Sequence, residues 1–318
     1  MILKRTRDYL RLIALDKVLS FRRETSRVLS SQNPRYVVTA KRIHTEAKVP
    51  EYYEGRLEGT APDHLCYILL HSPHSPETFP SVHHTPVSRE LQLRAKKWGG
   101  LVNFSWLADR KVAGDSAESH AATVFSPRGG KLDIPKISVQ NMDEVEESIK
   151  RHIEGPLTSS TSEDMQIYVC THGARDCRCG DRGRQVYEAL VKAVKDEEIS
   201  NPTGPASRLK IGEVGHVGGH KYAANILLFP QGEWLGIIKP EDAPSIVAAA
   251  CEALRSGVKP LGPSTPPLFP SHWRGRMGLS REDQTNLWLR CCGHNSPTST
   301  PWTRESEGVL TPLTRRLG

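Results

Sequence analysis

The stretch whose reading decides the fold runs from Met165 to Val194, "MQIYVCTHGARDCRCGDRGRQVYEALVKAV". Its first six residues (165–170) form an apolar run suited to a buried strand, and Val186, Leu190 and Val194 lie on one face of the helix that follows. Between them sits "CTHGARDCRCG" (170–180), which holds three of the chain's seven cysteines. A cysteine ending a strand, with a partner nine positions on in a loop before a helix, is held at the rim of a sheet, where ligands belong.

Downstream, "RLKIGEV" (208–214), "NILLFP" (225–230) and "EWLGII" (233–238) read as strands, the last two joined through Gln231-Gly232. "PEDAPSIVAAACEALRSG" (240–257) reads as a helix with an acidic first turn and Gly257 past its end. The order β, α, β, β, β, α suits a thioredoxin-like α/β layer over residues 165–259. Upstream, "HLCYILLHS" (64–72) and "LVNFSWL" (101–107) are strands, "RELQLRAKKW" (89–98) is a helix capped by Ser88, and a hairpin turns at Arg128-Gly129-Gly130. A charged helix "MDEVEESIKRHI" (142–153) completes a smaller N-terminal α/β domain, residues 57–154. Residues 155–164 read as a linker. Residues 260–318 read as an extended Pro-rich tail with one short helix, started by a Ser280/Asp283 capping box. No internal repeat of fixed period is evident.

The chain has 318 residues, and its 43 Lys and Arg exceed 36 Asp and Glu for a net charge of +7. The excess is concentrated in a basic segment, residues 1–56, whose first thirty residues mix arginines with Leu3, Leu10, Ile13, Val18 and Leu19. Such a pattern fits a mitochondrial transit peptide or an ordinary solvated helix. Elsewhere charge is nearly balanced, and no basic stripe interleaved with aromatics marks a nucleic-acid surface. No apolar run approaches the roughly 18 residues of a membrane span, so stable membrane insertion is not expected. An odd cysteine count without a regular framework suits an intracellular protein whose thiols serve metals or redox chemistry.

Two cysteines are half of a site. "GHVGGHKYAAN" (215–225) offers the other half in His216 and His220, held in a glycine-rich loop that lets backbone approach a bulky ligand. It is not the zinc-protease pattern, since Val217 stands where a glutamate is required. Zinc and an iron–sulfur cluster both take four protein ligands of these types, and spacing alone does not separate them. Arg175, Arg178, Arg182 and Arg184 either supply a positive field for thiolates or form a solvated charge run.

"CTHGARDCRCG" together with "GHVGGHKYAANILLFPQGEWLG" resembles the sucrase/ferredoxin-like family of thioredoxin-like ferredoxins. "LEGTAPDHLCYILLHSP", "GGLVNFSW" and "HWRGRMGLS" extend the resemblance to a fungal branch of that family, over roughly residues 57–290. The resemblance implies a [2Fe–2S] cluster bound by Cys170, Cys179, His216 and His220. It leaves Cys177 as a spare thiol and His172 beside the ligands rather than among them. The vicinal pair Cys291-Cys292 is read as two small residues on a partly buried helix face, with a redox-active pair as the alternative.

The expected function is electron transfer in mitochondrial redox or thiol homeostasis, with an unidentified redox protein as partner; a cytoplasmic location is the alternative. No nucleophile with an oriented base stands out, so no catalytic residue is assigned. The rivals are a zinc-stabilised binding module built on the same four ligands, and a thiol oxidoreductase using the cysteines of 170–179, which lacks a Cys-x-x-Cys pair.

Overall fold

The two longest-buried apolar runs become the central strands of the two halves of one sheet. The computed structural model describes residues 52–112, 117–157 and 162–293; the transit-peptide expectation at residues 1–30 lies outside them. The first half comprises β1 (Cys66–His71), α1 (Pro86–Ala95), β2 (Gly100–Leu107), β3 (Ser119–Ser126), β4 (Gly130–Ser138) and α2 (Met142–Glu154). The second comprises β5 (Met165–Cys170), α3 (Cys177–Ser200), β6 (Leu209–Val214), β7 (Ile226–Phe229), β8 (Glu233–Leu235) and α4 (Ala243–Arg255). With β9 (Trp273–Arg276), nine strands of the described residues form a single sheet, ordered β4-β3-β1-β2-β6-β5-β7-β8-β9.

Each half has the same connectivity. Its first two strands are parallel across a helical crossover, its third lies antiparallel to the first, and its fourth antiparallel to the third. That is a thioredoxin-like layer. The second half has it as expected from the sequence, and the first half repeats it. The repeat is hidden in the sequence because α1 has 10 residues and α3 has 24, so equivalent elements recur at no fixed spacing.

The halves join through β2 and β6, which run antiparallel and overlap only at their last residues: Ser105 faces Val214, and Leu107 faces Gly212. This stagger places His71, Ser105, Val214 and Cys170 in one row across four strands. The carboxyl ends of both parallel pairs therefore meet at the middle of the sheet, the position at which open α/β sheets form ligand crevices.

Period-two alternation fixes what each strand residue faces. Ile68 and Leu70 pack with Val87 and Leu91 of α1 and Ile149 of α2; Ile167 and Val169 pack with Val186 and Leu190 of α3 and Val247 of α4. Tyr67, Leu69, Tyr168 and Cys170 point to the other face, against Phe229, Trp234 and Met277. A one-residue slip of β5 would turn Cys170 into the helical layer, so burial of both faces sets the register of the site.

Three local expectations change. Thr85 rather than Ser88 caps α1, because Pro86 suits the first helical position and Ser88 closes the reciprocal capping box at the third. α3 begins at Cys177, nine residues before its apolar stripe starts at Val186, because Asp176 accepts the Arg178 N–H and caps it there. Residues of the expected tail carry β9 as well as the helix α5 (Arg281–Cys292), with Trp273, Arg274 and Arg276 buried against β8.

Candidate metal centre

Cys170 ends β5 and Cys179 lies in the first turn of α3, and both are buried. They meet because α3 passes unusually close to the strand end. A Cβ on Gly183 would stand 2.1 Å from the Cys170 carbonyl oxygen, and one on Gly180 would stand 2.7 Å from Gly173 Cα. Only hydrogen at these positions lets the helix seat against the loop that follows β5.

The loop after β6 brings the imidazoles. Gly218 and Gly219 have left-handed φ of +81° and +65°, which folds the chain back into a short 3-10 turn, His220–Tyr222. His216 Nδ1 lies 3.7 Å from Cys179 Sγ, and donor atoms of Cys170, Cys179 and His216 all fall within 4.8 Å of one another. His220 stands at the edge of this group, its ring 5.8 Å from that of His216 and its Nδ1 3.5 Å from Asp176 Oδ2. The structure thus brings three of the four expected residues into one compact set and leaves the fourth exposed beside it. Cys177 is exposed on α3, outside the set, and Cys291 and Cys292 lie on α5.

Two side chains brace the loops. His172 donates from Nε2 to the Pro80 carbonyl at 2.8 Å, so its Nδ1 is free to accept the His216 N–H at 3.4 Å. Burial holds its pKa below the usual histidine value, in keeping with a neutral ring fixed in that tautomer. Arg274 of β9 is 2% exposed and donates to Asn225 Oδ1 at 2.7 Å, to the Thr60 carbonyl at 2.8 Å and to Thr60 Oγ1 at 3.1 Å. It also stacks on the Tyr222 ring, 4.4 Å from the centroid. Burial lowers its pKa to about 10, so it is a cation at neutral pH, and its hydrogen-bond partners are all uncharged.

Arg274 was not singled out from the sequence, although it lies within "HWRGRMGLS", a segment that carried part of the resemblance but no role. The four arginines near the cysteines divide differently. Arg178 pairs with Asp176, Arg184 with Glu77 and Glu188, and Arg182 lies buried under Tyr52. Arg175 alone of them lines the open cleft beside His216.

The contact with Cys179, helped by His216 and the Val217 backbone, holds the Cys170 thiol well below its ordinary value despite burial; the same contact and burial push Cys179 up. Thiolate at the strand end, a second thiol and imidazoles are the donors that zinc and iron–sulfur groups take, so the residues fit such a group.

Tandem thioredoxin-like layers sharing one sheet, with a Cys/His donor set where their strand ends meet, define an α/β protein with a candidate metal or redox centre. The chain belongs to the sucrase/ferredoxin-like family, whose profile matches residues 57–275. It is 39% identical over 87 residues to altered inheritance of mitochondria protein 32 of Meyerozyma guilliermondii, covering 26% of this chain and 29% of that one. It is 32% identical over 98 residues to actin patches distal protein 1 of Saccharomyces cerevisiae, covering 29% and 31%. These matches therefore span less than a third of the relatives' length. Among solved structures, a thioredoxin-like [2Fe–2S] ferredoxin from Aquifex aeolicus aligns at 19% identity and a TM-score of 0.24, covering 29% of this chain and 88% of that one.

Proposed function

We propose that the chain is an electron carrier in which Cys170, Cys179, His216 and His220 hold a [2Fe–2S] cluster. The observation that carries this reading is the convergence of Cys170, Cys179 and His216 donors within 4.8 Å at the meeting point of the strand ends. The names of the ferredoxins of similar fold add support for the cofactor. Such a cluster supplies reversible one-electron transfer when bound. The chain's own part is to hold two thiolates dry, to fix His216 through His172, and to set the buried Arg274 cation nearby. Asp176, beside His220 Nδ1, orients the exposed imidazole as carboxylates commonly orient ligating histidines. An unidentified redox protein is the expected partner. Relatives named for mitochondrial inheritance support a mitochondrial setting for this redox role, set against one named for actin patches.

Protein purified anaerobically from iron-replete cells should be red-brown with iron and acid-labile sulfide in equal amounts. Cys170→Ser and Cys179→Ser should lose that colour, and Cys177→Ser should keep it. Stoichiometric zinc without iron under those conditions would overturn the reading in favour of a zinc-stabilised module.

A further inference from the structure

The stagger that joins the two halves also leaves a cleft of about 420 Å³ between the loop after β1 and the loops after β5 and β6. Its size lies in the range of small-molecule sites, roughly 300–1,000 Å³. Its walls come from both halves: Phe79, His83 and Phe104 on one side, His172, Arg175 and His216 on the other. The floor is preformed. Asn103 Nδ2 donates to the Gly215 carbonyl at 3.1 Å, and Gly215 sits so close that a Cβ there would fall 2.4 Å from Asn103 Oδ1.

Two features specify an occupant. Phe79 and His83 stack with centroids 4.0 Å apart at 17°, and Phe104 meets the His83 ring edge-on at 4.7 Å, which gives the cleft an aromatic wall in which the half-buried His83 ring is backed by the buried Phe79 and Phe104. A planar ring buries a face well against such a wall. No Asp or Glu lines the cleft, whereas the exposed Arg175 does, and no carboxylate among the described residues lies within ion-pair distance of its guanidinium. A carboxylate or sulfonate can be bound bidentately by such a fork. From these observations we infer that the seam cleft is a binding site for a small planar aromatic anion, seated between the aromatic wall and Arg175 and against the His216 imidazole. This goes beyond the electron-carrier reading and does not require it, because ring stacking and charge pairing need no metal.

The test is isothermal titration calorimetry of the full chain, as purified, with naphthalene-2-sulfonate, neutral naphthalene-2-methanol and cationic N-methylquinolinium. One sulfonate should bind per chain, with the alcohol weaker by about tenfold, a difference of about 1.4 kcal/mol, and the cation weaker still. Arg175→Glu should abolish sulfonate binding and Arg175→Lys should retain part of it. Val82→Trp, a change at an exposed residue that lines the cleft, should block all three probes by filling it. Circular dichroism checks that these surface variants fold. Absence of sulfonate binding at millimolar concentration, equal affinity for the cation, or binding unchanged in both Arg175→Glu and Val82→Trp would overturn the inference. Metal content of the same samples is measured separately, so zinc in place of iron would overturn the cluster and leave this result standing.

Discussion

Arg274 Nη1 donates to Asn225 Oδ1 at 2.7 Å, and Asn225 in turn holds both arms of the candidate centre. Its carbonyl accepts the Cys170 N–H at 3.0 Å, and its Nδ2 donates to the Gly219 carbonyl at 3.1 Å, between the two histidines. A cation on the last strand therefore fixes the cysteine strand and the histidine loop relative to each other, while standing near the proposed redox centre.

Replacing Arg274 separates these roles. Arg274→Gln leaves Asn225 and Thr60 short of donors and should destabilise the metal-free chain by about 2–4 kcal/mol in urea unfolding. In cluster-loaded protein it should lower the reduction potential, because a nearby positive charge favours the reduced form. Arg274→Lys keeps the charge without the fork and should restore the potential more fully than the stability. A potential unchanged in Arg274→Gln, with the cluster retained, would remove the electrostatic role.

Gly183 tests the approach of α3 to β5. A Cβ there would overlap the Cys170 carbonyl oxygen at 2.1 Å, and that atom belongs to backbone that cannot swing away. Gly183→Ala should cost about 1–3 kcal/mol or more of stability and reduce iron bound per chain. Gly262→Ala, whose nearest neighbour would be Thr265 Oγ1 at 3.4 Å, is the control expected to change neither. Equal iron content in both variants would show that the close approach is dispensable.

The second half was legible in the sequence because its signals are local: a buried run, an apolar stripe, paired turn glycines. The doubling of the fold was not, since it is expressed only in strand pairing, and "SPHSPETFPSVHHTP" (72–86) has no cysteine to mark it as the counterpart of the loop after Cys170. Cys170, Cys179, His216 and His220 stood out as chemistry-bearing residues in short motifs. Arg274 and Asn225 did not, because an arginine between Trp273 and Gly275 reads as a surface charge until the strand that buries it is known. The row of His71, Ser105, Val214 and Cys170, and the cleft beside it, depend on pairings between residues far apart in sequence.

The docking of β9 depends on a buried ion pair. Arg276 is 1% exposed, binds the fully buried Glu233, and also donates to the carbonyls of Gly262 and Thr265 at 2.7 and 2.8 Å. Glu233→Gln leaves that guanidinium without a counter-charge and should destabilise the chain by about 3–5 kcal/mol. Limited proteolysis should then cut first within residues 259–272. Glu233→Gln/Arg276→Met should recover part of the loss; a double variant less stable than Glu233→Gln alone would contradict this account.

Acid should weaken the fold through histidines held neutral in its interior. His64 donates from Nδ1 to the Pro62 carbonyl at 2.7 Å and its Nε2 accepts the Trp234 indole N–H at 3.4 Å, leaving no acceptor for a second proton. Burial lowers its pKa to about 4, and burial with the nearby Arg110 lowers that of His71 to about 3. In the unfolded chain both titrate near 6.5, so between pH 6.5 and 4 the unfolded state binds more protons than the folded one. Their contribution is therefore complete above about pH 6.5 and is lost as pH falls towards the folded values. For His64, 4% exposed, the full loss is on the order of 3 kcal/mol. Urea unfolding of the metal-free chain should show stability declining steadily from pH 6.5 to 4, and His64→Gln should flatten that slope even though it lowers stability at pH 7. A slope identical in the variant would show that His64 is not among the groups that set acid sensitivity.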